Sequence, residues 1–308
     1  MLRLLTAAIA CASFLHAVDT EDRIRKSVPV SSATHLTLNA EFGAIRVQPG
    51  DAKSVEVEVF FRGDPPSRSE FDRMLHDFKL DVEQQGSDIH VNATFHDGWR
   101  PMLSFGLFDF GHSICRNGQC LEYSKWLREV EYHIKVPQKF DADVRTSGGP
   151  ISVSSLKGEL KAHTSGGPIR ITEVAGDVDV STSGGPISIE RTAGRVKAHT
   201  SGGPIEISEA TGAVDASTSG GPVRASLAAQ PKAECRLYTS GGSIDVSLGK
   251  DIRMDLDAST SGGRVWTDFA VPSSGERHQS ELHAPINGGG PRLYLHTSGG
   301  GISVRRTG

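Results

Sequence analysis

The stretch "TSGGPI" at Thr164–Ile169 occurs unchanged at Thr146, Thr182 and Thr200. Its first four letters occur eight times, and successive copies start 18, 18, 18, 18, 21, 21 and 37 residues apart. A fixed period of this kind is the signature of a repeat architecture. The eight copies begin at Thr146, Thr164, Thr182, Thr200, Thr218, Thr239, Thr260 and Thr297.

Each unit of 18 residues predicts two strands and two turns. The triplet after TSGGP, such as Ile151–Val153, alternates apolar and polar residues, and a second triplet, such as Val178–Val180, follows a glycine turn. A unit this short cannot bury two apolar strand faces alone, whereas stacked units can. We predict an all-β fold over residues 141–308: a β-solenoid resembling a parallel β-helix, with about 18 residues and two short strands per coil. A β-propeller and a leucine-rich repeat are disfavoured by the period and by the missing Leu and Asn ladder.

The outward charges fit coils that stack with an offset of one unit. One predicted column alternates in sign, which is favourable between neighbouring strands. The next column alternates His163 and His199 with serines, which keeps the imidazoles apart. The charged column contains Lys161, Asp179, Lys197 and Asp215.

The TSGG glycines predict a corner of each coil. Glycine reaches backbone angles closed to other residues and allows two backbones to approach closely, and the Thr and Ser hydroxyls are expected to form ladders down the stack. An anion or calcium site is disfavoured, because no phosphate-loop Lys follows and Pro stands where calcium repeats have Asp. A hydroxyl array that binds ice or a glycan is a second interpretation. The predicted corner glycines are Gly148, Gly149, Gly166, Gly167, Gly184, Gly185, Gly202, Gly203, Gly220 and Gly221.

Residues 1–17, "MLRLLTAAIACASFLHA", have the layout of a secretory signal peptide, with one Arg, an apolar run and small residues before the expected cleavage after Ala17. A lipoprotein signal ending at Cys11 is disfavoured, because Ala8 stands where Leu is usual. No later stretch has the 18 or more apolar residues that a membrane span needs. We therefore expect an exported protein in the periplasm, at the cell surface or outside the cell.

Residues 18–140 predict a β-rich N-terminal region, because segments such as "SVEVEVFF" alternate apolar and polar residues. Residues 67–78 predict an amphipathic helix that begins with a capping box of Ser67 and Glu70. Residues 97–129 form an apolar insertion, which either packs on its own domain or is exposed as a contact for a glycan, lipid or partner. Its candidate contact residues are Trp99, Phe105, Phe108 and Phe110.

The cysteines have different predicted roles. Cys115 and Cys120 flank an Asn-Gly turn signal in "CRNGQC" and are a candidate disulfide in an oxidising compartment. Two free thiols are the alternative, and a zinc site is disfavoured because the ligand spacing is wrong and only His112 is near. Cys235 stands in a strand-like stretch, where a single Cys is typically a small buried apolar residue.

These features in this order resemble a bacterial putative-adhesin family, a domain of unknown function with a C-terminal β-solenoid. The similarity covers nearly the whole mature chain and rests on the signal peptide, "LNAEFGAIRVQPG" at 38–50, "YHIKVP" at 132–137 and the repeated "TSGGPI". The family often has Asn and Asp near the corner where this chain has Gly and Pro, which weakens an Asp-based ligand site. The resemblance implies an exported surface or periplasmic scaffold.

Charge and spacing favour binding over catalysis. The 33 basic and 37 acidic residues include no basic block typical of nucleic-acid binding. His163 and His199 fall two coils apart, about 9.6 Å, which is too far for one metal ion. We predict no catalytic residue, cofactor or metal, and a non-catalytic adhesin-like scaffold for binding or display at the envelope. The partner is an envelope protein, a glycan or a second copy; the alternative is a polysaccharide-binding or polysaccharide-cleaving β-helix protein.

Overall fold

The computed structural model describes residues 20–30, 34–95, 114–116, 119–121, 123, 126–271 and 280–307. Two parts of the sequence prediction lie outside these residues. One is the signal peptide at 1–17, and the other is the set of contact residues in the apolar insertion, namely Trp99, Phe105, Phe108 and Phe110.

The chain contains one helix and 26 strands among the described residues. The N-terminal part contains β1 (Thr20–Pro29), β2 (His35–Ala40), β3 (Ala44–Pro49), β4 (Ser54–Gly63), α1 (Arg68–Asp77), β5 (Phe78–Gln85), β6 (Asp88–Phe95), β7 (Ile114–Arg116), β8 (Gln119–Leu121) and β9 (Leu127–Val136). The next part contains β10 (Asp141–Thr146), β11 (Ile151–Leu156), β12 (Leu160–Thr164), β13 (Ile169–Val174), β14 (Val178–Thr182), β15 (Ile187–Thr192), β16 (Val196–Thr200), β17 (Ile205–Ala210), β18 (Val214–Thr218), β19 (Val223–Leu227), β20 (Cys235–Thr239) and β21 (Ile244–Leu248). The last part contains β22 (Met254–Thr260), β23 (Val265–Thr267), β24 (Glu281–Ile286), β25 (Arg292–Thr297) and β26 (Ile302–Arg306).

Two sheets of twelve strands enclose the core. Sheet 1 has the order β1-β4-β9-β3-β11-β13-β15-β17-β19-β21-β26-β23, and sheet 2 has the order β24-β22-β25-β20-β18-β16-β14-β12-β10-β2-β6-β5. In each regular coil the strand after TSGGP lies in sheet 1 and the strand after the second turn lies in sheet 2. The predicted β-solenoid with two short strands per coil is confirmed.

Neighbouring coils stack with the predicted offset of one unit. Ile151 pairs with Ile169 and Ile169 with Ile187 in sheet 1, while Leu160 pairs with Val178 in sheet 2. Each of these side chains is at most 2% exposed. Because burial of one such side chain contributes about 1.5–3 kcal/mol, these rows form a continuous stabilising core between the sheets.

Both sheets continue from the repeats into the region of residues 18–140. β10 pairs in parallel with β2, and β11 pairs in parallel with β3. The helix α1 connects β4 of sheet 1 to β5 of sheet 2, and its Phe71 and Met74 are fully buried in the shared core. Ser67 Oγ accepts a hydrogen bond from the Glu70 N–H over 3.3 Å, as the capping pattern predicts.

The order of coils in the stack differs from their order in the sequence at the C-terminal end. β25, which ends at Thr297, lies between β20 and β22. The coil of Thr297 therefore separates the coils of Thr239 and Thr260. Antiparallel strands form both edges of sheet 2, because β24 pairs with β22 and β5 pairs with β6.

The second glycine of each TSGG is required by close contact with the neighbouring coil. A Cβ placed on Gly185 would lie 2.1 Å from the carbonyl oxygen of Gly167, and the equivalent distances at the other corners are 1.9–2.3 Å. The first glycine has space in the regular coils, since the nearest such atom to Gly184 is 3.7 Å away, whereas in the C-terminal coils the nearest atom lies 2.9–3.2 Å away. None of these repeat glycines has φ in the left-handed region. The prediction that they provide unusual backbone angles is therefore wrong, whereas close approach explains the second glycine.

The corner threonines are buried and connect neighbouring coils. In all eight copies the Thr Oγ1 donates a hydrogen bond to the carbonyl of the second glycine in the preceding coil of the stack, over 2.6–3.0 Å. In seven copies it also accepts the N–H of the second glycine of its own coil, over 3.1–3.4 Å. The predicted ladder of Thr hydroxyls is wrong, because these hydroxyls bond to the backbone and are turned away from solvent.

We predict that the two glycines of one corner respond differently to the same substitution. Gly185→Ala should lower the free energy of unfolding by about 2 kcal/mol or more, because its Cβ overlaps a neighbouring backbone that cannot move without shifting the stack. The matched control, Gly184→Ala, should change it by less than about 0.5 kcal/mol. Denaturant unfolding measures both values, and equal losses would contradict the close-contact explanation.

We predict opposite effects for two Thr→Val substitutions in β14 and β15, which are consecutive in the chain and lie in different sheets. Thr182→Val removes the hydroxyl that bonds Gly167 and Gly185, and should lower the free energy of unfolding by about 1–3 kcal/mol. The buried Oγ1 of Thr192 has no hydrogen-bond partner among the described residues, so Thr192→Val should raise stability by about 1 kcal/mol. Thermal and denaturant unfolding test both, and a shift of the same sign in both variants would refute the assigned role of Thr182.

Candidate binding faces of the solenoid

The predicted charge column lies on the outer face of sheet 2. Lys161 is opposite Asp179, Asp179 opposite Lys197, and Lys197 opposite Asp215. Lys197 Nζ lies 3.3 Å from an Asp179 carboxylate oxygen of the neighbouring coil. Lys161 Nζ instead lies 2.9 Å from a carboxylate oxygen of Glu159, two residues before it in the same coil. Exposed pairs of this kind contribute at most about 1 kcal/mol each, so the column supports the register more than the stability.

The neighbouring column pairs each histidine with a serine of the next coil. Nδ1 of His163 lies 2.8 Å from Ser181 Oγ, and Nδ1 of His199 lies 2.9 Å from Ser217 Oγ. The predicted alternation of His and Ser therefore gives both imidazoles a hydrogen-bond partner. In the regular coils these outward groups are used to connect one coil to the next.

The C-terminal coils of sheet 2 carry a group of aromatic and cationic side chains instead. The rings of Tyr238 and His296 stack at 5.6 Å between centroids, and those of Tyr294 and His296 at 6.5 Å. The guanidinium carbons of Arg292 and Arg236 lie 4.8 and 5.9 Å from the Tyr294 ring centroid. We call these five residues the aromatic cluster. It exposes 37% of Tyr238 on an otherwise polar face.

The C-terminal coils of sheet 1 form a shallow depression of about 370 Å³ on the outer face. Two adjacent columns of side chains make up its polar surface. One column contains Glu206, Arg224 and Asp245, and the other contains Ser208, Ser226, Ser247 and Arg305. We call these seven residues the sheet 1 depression.

A change in strand length places the depression at this point of the stack. β17 has an extra residue relative to β19, and the pairing shifts register between Ile207 and Ala210. The extra residue at the equivalent place in the regular coils has positive φ, as at Glu209, where φ is 54°. The register change thus falls between β17 and β19, the first two strands of the depression.

Trp266 lies next to the depression on the edge strand β23 and is 52% exposed. Its position continues the first column, because Asp245 pairs with Ser303 and Ser303 pairs with Trp266. The guanidinium carbon of Arg305 lies 5.9 Å from the indole ring centroid, and Arg305 Nε donates to Ser303 Oγ over 3.0 Å. The indole and the depression therefore form one continuous surface.

The apolar insertion is attached to the described core at both ends. Before it, the Phe95 N–H donates to the Glu41 carboxylate over 2.9 Å, and burial raises the pKa of this carboxyl. Near its C-terminal end, the Tyr123 hydroxyl donates to Asp77 of α1 over 2.7 Å. Within it, β7 and β8 form a hairpin in which Cys115 stands directly opposite Cys120.

Further cysteine and histidine side chains that could bind a metal ion are buried or hydrogen-bonded to neighbouring residues. Cys235 is 1% exposed, as the strand pattern predicts, and burial raises the pKa of its thiol. His283 Nδ1 lies 3.0 Å from Asp257, and His296 Nδ1 lies 2.8 Å from Ser259. The described residues contain no group of three or more His, Cys, Asp or Glu side chains placed to hold a metal ion. No helix in the described part of the chain is long and apolar enough to cross a membrane.

Sequence reasoning missed both C-terminal surfaces. Trp266 and Tyr238 are single aromatic residues in strands, and an isolated exposed aromatic has no periodic signal. The available signal for the depression was the recurrence of Ser208, Ser226 and Ser247 at equivalent places in three coils.

Comparison with known proteins gives the family and the fold. A comparison with curated protein sequences found no significant match. A structure named "putative adhesin" from Bacteroides fragilis has 14% identity and a TM-score of 0.50, covering 93% of this chain and 97% of its own. A "putative cell adhesion protein" from Clostridium sporogenes has 14% identity, coverage of 94% and 100%, and a TM-score of 0.30. A "putative lipid binding protein" from Parabacteroides distasonis has 11% identity, coverage of 93% and 97%, and a TM-score of 0.40.

At these identities the structural similarity bears on the fold alone. The family model described as Toastrack DUF4097 matches residues 33–305, which is nearly the whole chain. This match agrees with the family resemblance found from the repeat and its flanking segments. The chain belongs to the Toastrack DUF4097 family.

Proposed function

We propose that the protein is an exported, non-catalytic scaffold that binds an envelope partner through the outer faces of its C-terminal coils. The observation that carries the proposal is the exposure of one aromatic residue on each sheet: Tyr238, which stacks on His296 in the aromatic cluster, and Trp266, which lies beside Arg305. Exposed aromatic residues with arginine neighbours are enriched among the residues that dominate binding surfaces. The name of the Bacteroides fragilis structure, a putative adhesin, agrees with a binding role.

The contrast between regular and C-terminal coils supports this location. In the regular coils His163 and His199 bond to serines, and Lys197 contacts Asp179. Groups that already bond to a neighbouring coil have less to gain from a ligand. In the C-terminal coils His296 keeps such a bond with Ser259 and Arg292 pairs with Asp257, but these coils add the rings of Tyr238 and Trp266, which are exposed to solvent. The apolar insertion, with Trp99, Phe105 and Phe108, is the other candidate contact and enters the same test.

A polysaccharide-cleaving β-helix is the competing function. Glycoside cleavage commonly uses two carboxyl groups about 5–9.5 Å apart on either side of the bond. Glu206 and Asp245 are two carboxylates on one face, two strand spacings or about 9.6 Å apart along the column, with Arg224 between them. Because these two carboxylates share one face, the binding experiment also measures whether the protein cleaves polysaccharide.

We predict that binding to envelope extract is lost when the exposed aromatic residues of the C-terminal coils are replaced. The purified mature protein is compared with Tyr238→Ser/Tyr294→Ser, with Trp266→Ser, and with Trp99→Ser/Phe105→Ser/Phe108→Ser. Tyr238→Ser/Tyr294→Ser or Trp266→Ser should retain its fold and capture about tenfold less envelope material, because aromatic anchors dominate such surfaces. A loss seen only in Trp99→Ser/Phe105→Ser/Phe108→Ser would instead assign the contact to the apolar insertion. Arg170→Ser, on the outer face of a regular coil, should bind as the intact protein does. Absence of capture by the intact protein, or release of shortened glycans, would refute the proposal.

Export would also place the β7–β8 hairpin in an oxidising compartment. Directly opposite residues in an antiparallel pair have Cα atoms about 4.5–5.5 Å apart, within the range of about 4.4–6.8 Å found for disulfides. The register places Cys115 and Cys120 in this relation. The backbone geometry therefore favours a disulfide between them over two free thiols.

We predict that Cys115 and Cys120 are oxidised in protein isolated from its exported compartment. Alkylation without reductant, followed by mass spectrometry, should recover them as an unmodified cross-linked pair. Cys235 should be alkylated only after unfolding, because it is buried. In the Cys120→Ser variant, Cys115 should become alkylated in the native protein. Alkylation of both cysteines in the intact native protein would rule out the pairing.

A further inference from the structure

We infer that the sheet 1 depression, together with Trp266, binds a neutral oligosaccharide. The inference rests on the proposed binding function and assigns a ligand class to one of its surfaces. The outer face of sheet 1 combines three properties here: equal numbers of positive and negative side chains, serine hydroxyls without a side-chain partner among the described residues, and an exposed apolar ring. Each of these properties restricts the class of ligand.

The charges of the depression favour an uncharged ligand. Glu206 and Asp245 contribute two carboxylates, and Arg224 and Arg305 contribute two guanidinium groups. An anionic or cationic polymer would meet as many like as opposite charges along this surface. A polyhydroxylated ligand can use both kinds of group, because each hydroxyl donates one hydrogen bond and accepts others.

Much of this hydrogen-bonding capacity is not used by the protein. Among the described residues, the hydroxyls of Ser208, Ser226 and Ser247 and the carboxylate of Glu206 make no hydrogen bond or ion pair with another side chain. Arg224 Nε lies 4.0 Å from Asp245 Oδ2, at the distance limit for a salt bridge. In contrast, the histidines of the regular coils each have a serine partner. The depression therefore has donors and acceptors available for a ligand.

Trp266 provides the apolar part of the surface. Sugars have C–H faces that pack on aromatic rings while their hydroxyls form hydrogen bonds at the edge. The indole is 52% exposed, and Arg305 lies beside it, so the ring and the polar groups are adjacent. Mixed apolar and polar surfaces with a few placed hydrogen-bonding groups are typical of small-ligand sites, whose volumes begin at about 300 Å³.

The size of the surface favours an oligosaccharide over a single sugar. Its residues lie on five neighbouring strands, β17, β19, β21, β26 and β23. Four strand spacings of about 4.8 Å give a length of about 19 Å, enough for several pyranose rings. The shallow, open shape suits a chain that lies across the strands.

The test uses calorimetry on the intact mature protein with hexasaccharides of glucose, mannose and N-acetylglucosamine, and with a galacturonate hexasaccharide as the acidic comparison. At least one neutral hexasaccharide should bind. Trp266→Ala and Asp245→Asn should each weaken that binding by about tenfold or more, because each removes a central contact. Trp266→Phe should retain part of the affinity, which distinguishes packing of the sugar on the ring from a role of Trp266 in the fold.

The matched controls lie in the same two columns, within the regular coils. Arg170→Ala and Ser154→Ala should bind as the intact protein does. Binding of only the acidic hexasaccharide, of no neutral hexasaccharide, or unchanged binding by folded Trp266→Ala and Asp245→Asn would overturn the inference. If the intact protein captures envelope material but binds no hexasaccharide, the ligand class is wrong and the binding function stands. If it does neither, both are wrong.

Discussion

Contact between the second glycine of one coil and the backbone of the coil before it sets the spacing of the whole stack. The missing Cβ lets two backbones meet where any side chain would lie 1.9–2.3 Å from a carbonyl oxygen. The buried Thr Oγ1 then bonds to that same carbonyl. Because strand register determines which side chains face inward, this one contact fixes both the apolar rows and the outward columns.

The 18-residue period was sufficient to predict the coil, the inward rows and the charged column, because each follows from a repeated local pattern. It was not sufficient to find the coil formed by β2 and β3. There "AEFGAI" at Ala40–Ile45 keeps only the second glycine, Gly43, and Thr146 Oγ1 still donates to its carbonyl over 3.0 Å. The contact persists although most of the motif is absent, because the Gly43 carbonyl still receives both the Thr146 hydroxyl and the close approach of Gly149.

The stack order of the last coils was also hidden from sequence reasoning. The spacing of the motif along the chain gives the length of a coil, but it does not give the place of that coil in the stack when the spacing becomes irregular. Nothing in the sequence therefore placed the coil of Thr297 between those of Thr239 and Thr260. The sheet 1 depression depends on this order, because β26 brings Arg305 beside Ser247 and β23 then adds Trp266. The candidate site thus arises where the stack departs from simple repetition, while the regular coils provide a rigid base.

Hydrogen exchange of the corner amides tests the central claim most directly. The N–H groups of Gly185 and Gly203 are buried and donate to buried threonine hydroxyls, whereas Gly184 and Gly202, which precede them, are exposed and donate no backbone hydrogen bond to a described residue. Exchange measured by NMR should be much slower at Gly185 and Gly203 than at Gly184 and Gly202, since only the former exchange through opening of the stack. Equal exchange within each glycine pair would contradict the account, because it would mean that the threonine and second glycine do not hold neighbouring coils together.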